Sequence, residues 1–133
     1  MATRKRGMFR RIAAICLACA GCAESERSTV FESLASPSGD FVLTATVIAP
    51  WFPQGPHQVA LDLTAARTGE RQPLLKSELA YDGVPFTRRN IAMRWTSERA
   101  AFVCLSATDR PDKGIQITVP PAGAARVEVR TGC

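Results

Sequence analysis

The sequence has few of the residues from which catalytic and metal sites are usually assembled. Its 133 residues include a single histidine, His57, which excludes a zinc site built from several imidazole ligands. It has no Gly-x-Ser-x-Gly nucleophile elbow, and its nine glycines are scattered singly and form no phosphate-binding loop. Asp109 and Asp112 fit turn chemistry better than the spacing of a calcium loop. We therefore expect a non-enzymatic protein without a metal or a cofactor.

The sequence also lacks an apolar run long enough to cross a membrane. The apolar stretch 12–20 is 9 residues long, whereas a membrane-spanning helix needs about 20. Five basic residues precede this stretch within the first 11 positions, and the first acidic residue is Glu24. A basic start followed by a short apolar run is typical of a secretory signal peptide. The pattern predicts a signal peptide over residues 1–21 that is cleaved on export.

The apolar run ends in Ala20-Gly21-Cys22. This segment resembles the lipobox of bacterial lipoproteins, Leu-(Ala/Ser)-(Gly/Ala)-Cys, with Cys19 at the position where leucine is usual. The resemblance implies that Cys22 carries a diacylglyceryl group, becomes the first residue and tethers the protein to a membrane. It implies a place in the cell envelope, facing the periplasm, with the outer membrane favoured in a Gram-negative host because Ala23 follows the cysteine. The alternative is an ordinary signal peptide and a secreted, soluble protein.

The positive charge of the chain is confined to its N-terminal segment. The sequence has 17 Lys and Arg against 12 Asp and Glu. Five of the basic residues lie before Cys22 and all of the acidic residues lie after it, so the rest of the chain has no net charge. This balance argues against a nucleic-acid partner, which requires an excess of basic residues. A local patch around Arg88, Arg89 and Arg94 fits either an anion site or an ordinary solvated surface.

Five cysteines reduce to one candidate disulfide. Cleavage would remove Cys16 and Cys19, and the lipid would occupy Cys22. Cys104 and Cys133 then remain, and an even pair in an oxidising compartment predicts a disulfide between them. The alternative is a buried free thiol at Cys104 and a frayed end at Cys133.

The chain after the signal predicts one β-rich domain over residues 29–133, preceded by a lipidated tether over residues 22–28. Segments 40–49 and 57–65 alternate apolar and polar residues, and the second of these directs Val59, Leu61 and Leu63 inward and Asp62 outward. Segments 91–95 and 100–105 form the strongest hairpin signal. Two more strands are expected over 115–119 and 127–129, whereas segment 72–81 fits a short helix as well as a strand. About seven short strands indicate an all-β fold, either a small antiparallel β-sandwich or a barrel.

The loop 49–56 is the main candidate for binding a partner. Trp51 and Phe52 stand side by side among three prolines and a glycine, and His57 follows. Aromatic side chains are typical anchors of interfaces, although either ring could instead fold back and cap the domain. The sequence therefore predicts a small cell-envelope lipoprotein with a binding or structural role. Its partners would be the membrane, through Cys22, and an envelope protein or a cell-wall component. The alternative is an inhibitor or immunity-type protein that acts against a periplasmic hydrolase.

Overall fold

A computed structural model describes residues 27–50, 55–80 and 86–133. These residues form an all-β fold in which two four-stranded antiparallel sheets pack together as a small β-sandwich. Within this described part no helix is long and apolar enough to cross a membrane. The predictions on Cys22, Trp51 and Phe52 concern residues outside the described ones.

The strands follow one another along the chain, so each sheet is a simple up-and-down meander. The first sheet, sheet A, has the order β1-β2-β3-β4, and the second, sheet B, has the order β5-β6-β7-β8. A short 3₁₀ helix, Arg88–Asn90, precedes sheet B. The strands are β1 (Ser28–Ala35), β2 (Phe41–Ile48), β3 (His57–Ala65), β4 (Arg71–Ala80), β5 (Ile91–Ser97), β6 (Ala100–Leu105), β7 (Lys113–Thr118) and β8 (Arg126–Thr131).

The core lies between the sheets and follows the alternation of the sequence. Every second residue of β2 and β3 is buried there, and β6 and β7 contribute the facing layer. Because successive side chains of a strand point to opposite faces, this alternation places one apolar face of each sheet in the interior. The largest fully buried side chains are Leu43, Leu61, Leu79, Ile115, Ile117, Val59 and Val103.

The sandwich has eight strands among the described residues, one more than the sequence predicts. The missed strand is β1, which begins at Ser28, a residue expected to lie in the tether. Its pairing with β2 shifts register between Val30 and Glu32. This bulge interrupts the period of two by which strands are recognised in a sequence. The ambiguous segment 72–81 is strand as far as it is described, because β4 covers Arg71–Ala80, and its pairing with β3 is also irregular.

Asp62 lies on the outer face of sheet A as expected, yet it is buried. Its side chain is 8% exposed, and a carboxylate oxygen accepts a hydrogen bond of 2.7 Å from the guanidinium of Arg71. This hydrogen bond and the charge of Asp62 raise the pKa of Arg71. The pair lies where β3 and β4 change register, between Leu61 and Asp62. The positive charge of Arg71 therefore offsets the cost of burying the negative charge of Asp62 between the neighbouring strands.

Side-chain hydrogen bonds close both lateral edges of the sandwich. Trp95 Nε1 on β5 donates to the carbonyl oxygen of Leu34 on β1 at 2.9 Å. On the other side, the amide of Gln72 donates to the carbonyl of Ala125 at 3.1 Å and accepts from its backbone N–H at 2.9 Å. These contacts fix how one sheet lies on the other, which the two separate meanders do not determine.

Candidate binding groove

An open groove lies at one end of the sandwich, where β1 begins, β2 ends and β3 begins. Its volume is about 420 Å³, within the range of about 300–1,000 Å³ that ligand sites usually have. The backbone N–H of Ala49 donates to the carbonyl of Arg27 at 2.9 Å and holds the start of β1 against the end of β2. The described lining residues are Arg27, Thr29, Val30, Phe31, Val47, Ala49, His57, Phe86, Thr87 and Arg88.

Three rings form the wall of the groove. The rings of Phe31 and Phe86 meet edge to face with their centres 5.3 Å apart, a favourable geometry for aromatic pairs. The imidazole of His57 is 6.1 Å from the ring of Phe86. The guanidinium carbon of Arg88 lies 5.6 Å from the centre of the Phe31 ring, close enough for a cation–π contact.

The groove residues Phe86 and Arg88 do not belong to sheet A, and a buried asparagine, Asn90, holds their segment in place. Asn90 is 9% exposed, and its amide nitrogen donates to the carbonyl of Ser106 at 2.8 Å. Its amide oxygen accepts from the backbone N–H of Thr87 at 2.7 Å, and Thr87 Oγ1 accepts from the N–H of Arg89. This reciprocal capping fixes the 3₁₀ helix. Phe86 and Arg88 are thereby held at the groove.

Sequence reasoning overlooked Asn90. The Thr-x-x-Asn spacing from Thr87 to Asn90 is a capping signal that could have located the 3₁₀ helix. No sequence pattern predicts that Phe31 lines the groove, because the direction of its side chain depends on the bulge in β1.

The described lining of the groove carries positive charge. Arg27 and Arg88 line it, and none of its described lining residues is an aspartate or a glutamate. The described lining also contains no serine, so the structure does not bring His57 together with a serine and a carboxylate here. The arrangement suits the binding of an apolar group that carries a negative charge.

The groove lies next to the loop 49–56, which the sequence predicts to bind a partner. Ala49 is the first residue of this loop and His57 follows its last, and both line the groove. Among the predicted partner-binding residues, His57 thus lies in the groove wall, while Trp51 and Phe52 belong to the loop segment outside the described residues.

The predicted disulfide joins Cys104 on β6 to Cys133, with Cα atoms 5.8 Å apart. Asp112 lies beside these sulfur atoms. Because the two sulfurs are bonded to each other, they are not available as thiolate ligands for a metal. The disulfide instead fixes the C-terminal residues onto sheet B, where the N–H of Gly132 donates to the carbonyl of Asp112 at 2.7 Å.

A second cavity, of about 570 Å³, lies at the opposite end of sheet A. Its lining includes Gln72 and Ala125, the residues that link the two sheets through paired hydrogen bonds. Glu70 and Arg71 bring charges of both signs to it. This cavity is therefore part of the inter-sheet linkage, and the aromatic groove is the better candidate for a binding site.

Comparisons of the chain with protein-family models, curated proteins and solved structures find no match.

Proposed function

We propose that this protein is a non-enzymatic binding module of the cell envelope, held to a membrane by lipid on Cys22, and that it binds a protein partner in the aromatic groove. The observation that carries the proposal is the groove itself, which combines three rings, two arginines and both flanks of the loop containing Trp51 and Phe52. Aromatic and arginine side chains are the residues most enriched where interfaces gain their binding energy.

The position of the groove supports a partner close to the membrane. Arg27 lines the groove and follows Cys22 by five residues. A fully extended chain spans at most about 3.6 Å per residue, so the backbone of Arg27 lies within roughly 18 Å of the lipidated residue. The tether therefore holds the groove near the membrane surface, where the partner would be an envelope protein or a protein bound to the cell wall.

The lining of the groove indicates what part of the partner it would take. The rings of Phe31 and Phe86 would contact an apolar side chain, and Arg88 would pair with a neighbouring carboxylate. Such a charge pair directs association and excludes partners of the wrong charge more than it adds affinity. The proposed ligand is accordingly a protein segment with an apolar residue next to an acidic one.

Site-specific crosslinking in intact cells tests this function. A photoreactive amino acid in place of Val30, which lines the groove and is 61% exposed, should yield one defined crosslinked product. Arg88→Glu should reduce this product about tenfold, because the groove would then repel the carboxylate.

Arg89→Glu is the matched control for this experiment. Arg89 is the exposed neighbour of Arg88, is not among the lining residues and carries the same charge. Equal losses from the two substitutions, or the same product from a crosslinker at Thr118 on sheet B, would rule out the groove as the contact.

A further inference from the structure

The outer face of sheet B contains a phenylalanine that is almost fully buried. Phe102 on β6 pairs with Arg94 on β5 and with Gln116 on β7, so it points away from the core that its neighbours Ala101 and Val103 enter. It is nevertheless 4% exposed. Something on the outer face must therefore cover its ring.

Two arginines cover this ring. The guanidinium carbon of Arg94 lies 4.9 Å from its centre, and that of Arg130, from β8, lies 5.1 Å from the same centre. Stacking on an aromatic ring restricts the orientation of a guanidinium group. The structure thus holds two positive, planar donor groups against the same ring on the outer face of sheet B.

The two arginines have no carboxylate partner among the described residues. None of the ion pairs formed there includes either of them. Glu128 lies on the same face, opposite Gln116 and two residues from Arg130 along β8, but it joins neither arginine in the ion pairs of the described residues. Because both guanidinium carbons lie about 5 Å from one ring centre, they are no more than about 10 Å apart, and their like charges repel each other. An anion bound by both arginines would relieve this repulsion.

We propose that Arg94 and Arg130, stacked on Phe102, bind the phosphate group of a phosphomonoester. A phosphomonoester carries a charge of about −1.5 to −2 at pH 7 and three acceptor oxygens, which matches two guanidinium groups better than a single carboxylate does. Arginine is suited to this role because its planar fork donates two parallel hydrogen bonds to phosphate oxygens. Gln116 pairs with Phe102 in the register, so its side chain lies on the same face of sheet B.

This site is independent of the aromatic groove. Sequence reasoning grouped Arg94 with Arg88 and Arg89, but Arg88 contacts Phe31, whereas Arg94 contacts Phe102. The partner of Arg94 in this site is Arg130, which is 36 residues away in the sequence.

Titration of the purified protein with three probes tests the proposal and separates the possible sources of the phosphate. The probes are inorganic phosphate, glucose 1-phosphate and phosphatidylcholine vesicles that contain phosphatidic acid. Saturable binding that shifts the Nε–H resonances of Arg94 and Arg130 is expected for at least one probe. Preference for the vesicles would identify a lipid headgroup as the source, and preference for glucose 1-phosphate would identify a soluble sugar phosphate.

Charge-matched variants give the decisive comparison. Arg94→Gln and Arg130→Gln should each lower the affinity roughly tenfold, as expected for the loss of charge-assisted hydrogen bonds. Arg126→Gln should change it less than about twofold, because Arg126 is an exposed arginine of the same strand and is not one of the two arginines that contact the ring of Phe102. Phe102→Leu should weaken binding while both arginines remain, with the thermal unfolding midpoint reporting whether the fold is kept.

Three results would overturn the proposal. The first is the absence of saturable binding for all three probes. The second is an equal loss of affinity in Arg126→Gln, which would indicate unspecific attraction to surface charge. The third is full affinity in the double variant Arg94→Lys/Arg130→Lys, because lysine keeps the charge but lacks the planar fork. The arginine variants alter exposed side chains, so their results do not depend on whether Phe102→Leu folds.

Discussion

At the scale of single residues, Gly114 shows how closely the C-terminal tail lies on sheet B. A Cβ atom at this position would stand 2.5 Å from the carbonyl oxygen of Gly132 and 3.2 Å from the side chain of Arg130. Backbone atoms cannot easily move away from such a clash, so only glycine fits beneath the tail. The tail also carries Cys133, which means that the disulfide depends on a residue of the neighbouring strand.

We therefore expect Gly114→Ala to destabilise the protein by about 1–3 kcal/mol and to leave free thiol at Cys104. The added methyl group would displace Gly132 and with it Cys133. Urea unfolding and thiol titration measure the two effects.

Gly123→Ala is the comparison for this substitution. Nothing lies within 4 Å of its added methyl, and its cost comes from a φ of 89° alone, about 1 kcal/mol. Free thiol in the Gly123 variant, or its absence in the Gly114 variant, would contradict the explanation.

At the scale of elements, β1 connects three features of the molecule. It begins at the last residue of the predicted tether, its bulge is at Phe31, and its end is linked to sheet B by the hydrogen bond from Trp95 to Leu34. β1 is an edge strand that pairs with β2 alone in sheet A. The Trp95 hydrogen bond therefore supplies an attachment on its other side.

Trp95→Phe should lower the free energy of unfolding by about 1 kcal/mol, the usual net value of one hydrogen bond. The ring would still pack against the core, while the carbonyl of Leu34 would lose its donor. Faster amide hydrogen exchange should appear in β1 and β5. Gln72→Leu, which removes the link on the opposite side, serves as the control and should affect β4 instead. Faster exchange throughout the protein in both variants would show that the two edges do not act separately.

At the scale of the whole molecule, the disulfide and the proposed lipid anchor act at opposite ends of the chain. Cys104 and Cys133 are 29 residues apart in the sequence and close a loop that contains β7 and β8. The bond restricts the unfolded chain more than the folded one. Its removal should therefore lower stability without changing the sandwich.

The double variant Cys104→Ser/Cys133→Ser should lose about 2–4 kcal/mol of stability. Urea unfolding measures the loss, and a reducing agent should lower the stability of the unsubstituted protein by the same amount. Mass spectrometry under non-reducing conditions should find the two cysteines joined. Two free thiols in protein recovered from the periplasm would contradict the bond.

The anchor is tested by Cys22→Ala. Without the thiol no diacylglyceryl group can be attached, so the variant should remain unprocessed or become soluble, because stable membrane attachment depends on buried acyl chains. Membrane fractionation measures the result, with Cys16→Ala as the control because that residue lies within the predicted signal peptide. A Cys22 variant that fractionates with membranes as the unsubstituted protein does would refute lipidation.

The sequence by itself determined the all-β class, most of the strands and the disulfide pair. Alternation of apolar and polar residues is a local property, so β2, β3 and the hairpin of β5 and β6 can be read from short segments. The disulfide followed from counting cysteines. The signal peptide and the lipid on Cys22 also rest on sequence alone and remain predictions.

The tertiary structure decided the rest. A bulge concealed β1, and pairing with β3 settled that the ambiguous segment is strand as far as Ala80. The groove joins Phe31, His57 and Phe86, and the arginine pair joins Arg94 to Arg130 across Phe102. These residues are distant in the chain and meet only because strand register and the packing of the two sheets bring them together. Such contacts depend on both segments at once, so no local pattern can specify them.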